Sequence, residues 1–167
     1  MAGLKSGIAF QTIDELELCI CILFNRISRW KAVERFFAMI SRLGNGIFWY
    51  ALMALVIILD RPLGIRASFH MGIVAMIGVL IYTILKNNMG RQRPYISWQQ
   101  IKQGTAPLDY YSFPSGHTLQ AALFTIIAVF YYPALALILI PFTILIALSR
   151  IILGLHYPSD VIVGALI

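Results

Sequence analysis

Long apolar runs alternate with short polar islands along this chain, and the runs have the length of membrane-spanning helices. Residues 43–59, 67–85 and 118–149 contain no Asp, Glu, Lys or Arg. The first of these begins with Phe48, Trp49 and Tyr50, as a helix entering through the aromatic belt of a bilayer does. Pro133, just after Tyr131 and Tyr132, divides the last run into two helices joined by a tight turn. Residues 13–27 form a weaker first helix, with Asp14, Glu15 and Glu17 at its start and Arg26 at its end. It either spans with its charged ends at the interfaces or lies amphipathically along the surface. Residues 28–42 alternate Arg29, Lys31, Arg35 and Arg42 with Trp30, Val33, Phe36, Phe37 and Ile40, the pattern of an interfacial helix facing head groups. Pro158 opens a sixth helix that, at about 1.5 Å per residue, covers about half of a roughly 30 Å hydrocarbon core by residue 167. The pattern predicts an all-α integral membrane bundle of about six transmembrane helices, the last short or truncated.

Composition agrees. The chain is 60% hydrophobic and only 12% charged, with a mean hydropathy of +0.82, whereas a soluble domain carries about 25% charged residues. At about 20 residues per crossing, 167 residues leave no room for a second domain. One membrane-embedded unit over 1–167 is expected, with 1–42 as an N-terminal helix and interfacial segment and 43–167 as a catalytic helical core. The net charge of +6 comes from thirteen Lys and Arg residues scattered between apolar runs. They form no stripe beside aromatics, which argues against nucleic acid and for anionic lipid head groups and phosphate. Cys19 and Cys21 read as two buried thiols with no metal or disulfide role. The first residues lack the long apolar stretch and small-residue cleavage site of a signal peptide.

Against this background three polar islands stand out: 86–95, 113–118 and 149–160. Ionisable groups at bilayer depth are costly and mark pathways, relays or catalytic sites. Counting crossings, Lys86 ends the third span, His117 opens the fourth and Arg150 ends the fifth, so all three islands share one membrane face. His70, near the start of its span, falls on the opposite face and reads as an ordinary interfacial histidine. Lys86, Arg93 and Arg150 together supply three positive charges, suited to a phosphate group of up to two negative charges. Pro114-Ser115-Gly116-His117 leads into an apolar helix; Ser115 can cap it, Gly116 allows close backbone approach, and the N–H groups of the first turn form an anion site. Two histidines supply a nucleophile and an acid for the departing oxygen. Asp160, four residues after His156, can orient that imidazole and stabilise its protonated form, which makes His156 the nucleophile and His117 the acid.

These residues spell three linked motifs: Lys86, six residues, Arg93-Pro94; Pro114-Ser115-Gly116-His117; and Ser149-Arg150, five residues, His156, three residues, Asp160. In this the chain resembles the type 2 phosphatidic acid phosphatases, or lipid phosphate phosphatase superfamily, of the bacterial membrane type. The resemblance implies a metal-independent phosphatase with no cofactor, forming a phosphohistidine on His156 with Asp160 behind it and His117 protonating the leaving group. Lys86, Arg93, Ser115, Gly116 and Arg150 would hold the phosphoryl oxygens. The implied substrates are phosphatidic acid, phosphatidylglycerol phosphate or undecaprenyl pyrophosphate, and the implied location is the bacterial inner membrane with the active site outside the cytoplasm. The positive-inside rule points the other way, because Arg26, Arg29, Lys31, Arg35, Arg42, Arg91 and Lys102 fall on the active-site face against Lys5, Arg61 and Arg66 opposite.

Two rival readings use the same residues. A lipid phosphotransferase would pass the phosphoryl group from His156 to another hydroxyl instead of water. A non-catalytic phospholipid transporter or binding protein would only gather head groups on its basic face. Asp160 speaks against the latter, since a carboxylate weakens anion binding but serves a nucleophilic imidazole.

Overall fold

The computed structural model describes the backbone of residues 3–167 and the side-chain surroundings from residue 12 onward. All regular structure in the described residues is helical: α1 (Gly3–Ile27), α2 (Lys31–Leu43), α3 (Ile47–Leu59), α4 (Arg61–Met89), a short α5 (Pro94–Ser97), α6 (Gly116–Tyr131), a 3-10 turn at Pro133–Leu135, α7 (Ala136–Ile152) and α8 (Pro158–Leu166). Prolines mark several of the starts. Pro62, Pro94 and Pro158 each sit in a first helical turn, where a missing N–H costs nothing. Pro133 breaks the 118–149 run as the sequence predicts.

With 29 residues, α4 is about 43 Å long and exceeds a hydrocarbon core of ~30 Å. By length and hydropathy two described stretches, Arg61–Ser97 and Pro133–Ile152, can cross a membrane. α2 and α3 pass the same test together, bent by 51° at their break, and α6 is apolar but shorter. Ile58, Leu59, Phe69, Met76, Phe130 and Leu137 all point outward, an apolar exterior that suits contact with acyl chains. Inside, α3, α4, α6 and α7 close around Trp49, stacked on Phe124 at 5.2 Å between ring centroids, with Met71, Ala121, Leu139 and Ile146 buried beside it.

The N-terminal segment departs from the sequence reading in three ways. α1 begins at Gly3 and not near residue 13. Its acidic residues Asp14 and Glu17 do not mark an interface but turn inward to the buried Arg91. Further along, Cys21 packs with Ile101 and Tyr157, and the Asn25 amide donates to the carbonyls of Lys102 and Ile152 at 2.9 and 3.0 Å. From Asp14 to Asn25, then, α1 lies against the connections around residues 91–102 and 152–159. Cys19, expected to be buried with Cys21, is exposed, because two positions turn a helical side chain to another face. α2 keeps its expected form: Ile40 and Ser41 are buried while Arg35, Phe36, Met39 and Arg42 are exposed.

Candidate active site

The three polar islands meet at one end of the bundle. Lys86 lies in the last turn of α4. Gly90 ends that helix at φ 61°, a left-handed conformation that glycine adopts without penalty, and the chain turns back to present Arg91 and Arg93. Arg150 occupies the last turn of α7. Its carbonyl accepts the backbone N–H of both Leu155 and His156, at 3.0 and 3.1 Å, which folds the connecting loop under the helix and fixes His156. Asp160 sits in the first turn of α8. Its carbonyl takes the N–H of Ser115 at 2.9 Å, joining α8 to the start of α6. That junction depends on Gly164, where an added Cβ would lie 2.6 Å from the Ser115 carbonyl oxygen.

A cavity of about 410 Å³ opens between these elements, lined among others by Arg93, Gly116, His117, Arg150 and His156. Arg93 donates through Nη1 to the Leu155 carbonyl at 2.8 Å and approaches His156 Nε2 at 3.2 Å. A guanidinium can only donate, so this contact requires a lone pair on Nε2 and hence a neutral imidazole with its proton on Nδ1. Burial, reinforced by the charges of Arg93, Arg150 and Lys86, holds the His156 pKa well below its ordinary value. Nδ1 faces Asp160 Oδ2 at 3.5 Å, beyond a hydrogen bond, and is buried without a closer partner. The arrangement puts the Nε2 lone pair, held by the Arg93 guanidinium, on one side of the ring and a carboxylate on the other.

Asp160 is held from behind. It accepts from the Ser112 hydroxyl, from the Tyr157 N–H at 2.8 Å and from Arg91 Nη1 at 2.5 Å. Arg91 in turn bonds Asp14 through Nε and Nη2 at 2.8 and 2.6 Å, and Glu17 at 2.7 Å. It also stacks on the Tyr157 ring at 4.0 Å. The sequence counts Arg91 among the basic residues of the active-site face; the structure buries it, because three carboxylates on two other elements claim its fork.

On the opposite wall stands Asp109, from the connection between α5 and α6. Its Oδ1 lies 2.8 Å from Lys86 Nζ and 2.6 Å from Arg93 Nη2, and Oδ2 accepts from the Tyr82 hydroxyl. Burial alone would push the Asp109 carboxyl up, but the hydrogen bonds from Lys86 and Tyr82 outweigh it and hold the group below the usual carboxylate range. Arg150 donates to Ser41 on α2 at 2.5 Å, and its buried Nε finds no partner.

The structure thus brings Lys86, Arg93, Gly116, His117, Arg150 and His156 to one place, with Asp160 directly behind His156. Ser115 stands apart. Its hydroxyl pairs with Thr118 Oγ1 at 2.9 Å and makes no helix cap, and its N–H goes to Asp160, so both polar groups are occupied within the protein. Gly116 faces the site with the Tyr82 ring against it, leaving no room for a Cβ, which would meet that ring at 2.7 Å. His70 is remote, near Tyr131 at the far end of α6. Tyr82, Asp109, Ser112 and Arg91 are site residues that sequence reasoning did not single out. Among the described residues no cluster of three or more His, Cys, Asp or Glu is placed to hold a metal ion.

Comparison with known proteins matches this architecture. A lipid A 1-phosphatase of Rhizobium johnstonii is 33% identical over 89 residues, 51% of this chain and 36% of that protein. The chain therefore spans little more than a third of that relative's length. An undecaprenyl-diphosphatase of Sulfolobus acidocaldarius is 28% identical over 155 residues, covering 91% of this chain and 72% of the relative. The crystal structure of Aquifex aeolicus LpxE superposes with a TM-score of 0.76 at 29% identity, over 90% of this chain and 88% of that one. The family model of the PAP2 superfamily matches residues 67–167, the stretch that carries Lys86, Arg93, His117, Arg150, His156 and Asp160, and the chain belongs to that superfamily.

Proposed function

We propose that this chain is a membrane lipid phosphatase that hydrolyses a phosphomonoester or diphosphate borne on a lipid tail, through a phosphohistidine on His156. One observation carries the reading: His156 lines a cavity together with His117, Arg93 and Arg150, its Nε2 beside the Arg93 guanidinium and its Nδ1 facing Asp160. In the first step Nε2 attacks phosphorus, the bond to the leaving oxygen breaks, and that oxygen takes a proton from His117. The Asp160 carboxylate balances the charge the ring acquires. In the second, His117 takes a proton from water, whose oxygen attacks phosphorus and breaks the P–N bond, restoring the lone pair. Lys86, Arg93, Arg150 and the N–H groups at the start of α6 meet the developing charge on the phosphoryl oxygens.

A lipid substrate is supported by what adjoins the cavity. A second cavity of about 370 Å³, lined by apolar groups including Met53, Ala75, Met76 and Phe124, shares Asn45, Val79 and Gln120 with the first. It runs from the phosphate site toward the apolar exterior, as a tail would. The names of the relatives, a lipid A 1-phosphatase and an undecaprenyl-diphosphatase, agree with such substrates. The core over 43–167 carries the chemistry, with 1–42 completing it through Asp14, Glu17 and Ser41. We place the site outside the cytoplasm. That placement follows the resemblance, and the burial of Arg91 takes one residue from the basic count that argued otherwise.

The test is phosphate release by purified protein from phosphatidic acid, phosphatidylglycerol phosphate, lipid A 1-phosphate and undecaprenyl pyrophosphate, with His156→Ala as control. A rapid quench should trap a phosphoryl adduct on His156 that survives alkali and is lost in acid. Release that persists in His156→Ala would refute the mechanism.

A further inference from the structure

Two of the three cations assigned to the phosphate already hold an anion. Lys86 and Arg93 converge on Asp109 Oδ1 at 2.8 and 2.6 Å, while Tyr82 serves Oδ2. Both carboxylate oxygens are therefore met by donors as two oxygens of a phosphoryl group would be. We propose that Asp109 is an internal anion that occupies the phosphoryl position and that the substrate must displace, so that this carboxylate sets the affinity of the site for phosphate. The inference rests on the phosphatase reading above.

The placement of Asp109 fits such a role. Its side chain keeps 32% of its surface exposed, unlike the fully buried Asp160. It reaches inward from a stretch without helix or strand between Ser97 and Gly116, and its neighbours Leu108 and Tyr110 are 71% and 66% exposed. Withdrawing the carboxylate therefore unpacks no core, and besides its side-chain bonds it gives up the bond from Arg93 Nε to the Asp109 carbonyl at 3.2 Å. The backbone beyond it is anchored, since the Ser112 N–H donates to the Arg91 carbonyl at 2.8 Å, which limits the movement to the segment before Ser112. Arg150, by contrast, has no carboxylate partner among the described residues and keeps a buried Nε without a hydrogen bond. An arriving phosphoryl group meets Arg150 and His156 first and gains Lys86 and Arg93 as Asp109 leaves. A structural role, in which Asp109 merely holds Lys86 and Arg93 in place, makes a different forecast for each measurement below.

The experiment compares wild type with Asp109→Asn, which keeps the shape and removes the charge. Binding of inorganic phosphate to the full chain is followed by calorimetry, alongside KM and kcat for the best lipid substrate. If the carboxylate fills the position nine-tenths of the time, removing it should tighten phosphate binding about tenfold and lower KM in step. Unchanged or weaker phosphate binding in Asp109→Asn, or a fall in kcat with KM constant, would overturn the proposal and leave the structural role. A second measurement does not depend on that variant folding. A spin label at Tyr110→Cys, in a chain whose exposed Cys19 is replaced by Ser and on an otherwise intact site, should gain mobility as phosphate saturates the protein; an unaltered spectrum at saturation would also overturn it. Absence of phosphate binding to both proteins would refute the phosphatase reading of the site as well, whereas equal binding to both would refute the Asp109 proposal alone.

Discussion

Arg91 offers the sharpest test of how the N-terminal helix supports the site. It is 1% exposed and forms charge-assisted bonds to Asp14 and Glu17 on α1 and to Asp160 on α8.

 Arg91→Gln leaves these carboxylates with unequal losses. Asp160 retains the Ser112 hydroxyl and the Tyr157 N–H, and Glu17 retains the N–H and hydroxyl of Ser159 at 2.5 and 2.7 Å. Asp14 keeps none of the bonds described above. Breaking a buried pair by removing one partner costs about 3–5 kcal/mol, and losing the stack on Tyr157 adds about 0.5–2 kcal/mol. Partial retention at Glu17 and Asp160 puts the expected loss near the lower end, about 4 kcal/mol in all. Equilibrium unfolding in mixed micelles measures it. Asp14→Asn should be costly in the wild type but nearly neutral beside Arg91→Gln, with a coupling of at least about 1 kcal/mol. Because Arg91 is not among the residues lining the cavity, it acts as a positioning residue: kcat should fall about tenfold or more while KM stays within about twofold. A loss of stability under about 1 kcal/mol, or strict additivity with Asp14→Asn, would refute the reasoning.

Other outcomes follow from the same geometry. Asp160→Asn should lower kcat by about two to four orders of magnitude with the helical content unchanged, measured as phosphate release beside circular dichroism. Gly164→Ala should cost about 2 kcal/mol or more and reduce activity, because its Cβ meets a backbone oxygen that cannot give way as a flexible side chain would; thermal unfolding checks it. The depressed pKa of His156 means that the folded state binds fewer protons than the unfolded one. Stability from this group should therefore be complete above pH ~6.5 and fall as the pH drops below it, and the acid limb of kcat/KM should lie well below pH ~6.5. Activity in a chelating buffer should equal that in its absence, and a loss restored by added divalent cation would contradict the phosphohistidine mechanism.

What could be read in the sequence follows from two strong signals. Charge-free runs bounded by prolines and aromatics located α3, α4, α6 and α7, because water-free surroundings leave few alternatives to helix. Polar residues within those boundaries were conspicuous for the same reason, and counting crossings brought Lys86, His117 and Arg150 to one end. Less legible was α1. Its charges suggested an interface, and nothing in its periodicity announces that Asp14 and Glu17 find Arg91 in a partner segment some 75 positions away; the distances of 2.6 and 2.7 Å emerge only from the fold. Ser115 misled in the opposite sense. Its type and position fit a cap, but the neighbouring Thr118 hydroxyl competes for its side chain and the Asp160 carbonyl takes its N–H.

Asp109 escaped notice for a reason that bears on function. A carboxylate in a polar connection ordinarily faces water, so nothing in its sequence surroundings draws it to the site. The pull is exerted by the site itself: cations gathered to hold phosphate stay in a partly desolvated pocket in its absence, and an uncompensated charge there is expensive. Lys86 and Arg93 resolve this with Asp109, and Arg91 resolves it with Asp14, Glu17 and Asp160. The two solutions differ in burial. Arg91 and Asp160 are sealed, so their pairing is permanent and serves position, whereas Asp109 remains one-third exposed and can exchange its place with an incoming anion. On the proposed mechanism, then, burial separates the carboxylate that orients the nucleophile from the carboxylate that yields to the substrate. Exchanging their charges for amides should accordingly have opposite effects, with Asp160→Asn lowering kcat and Asp109→Asn lowering KM.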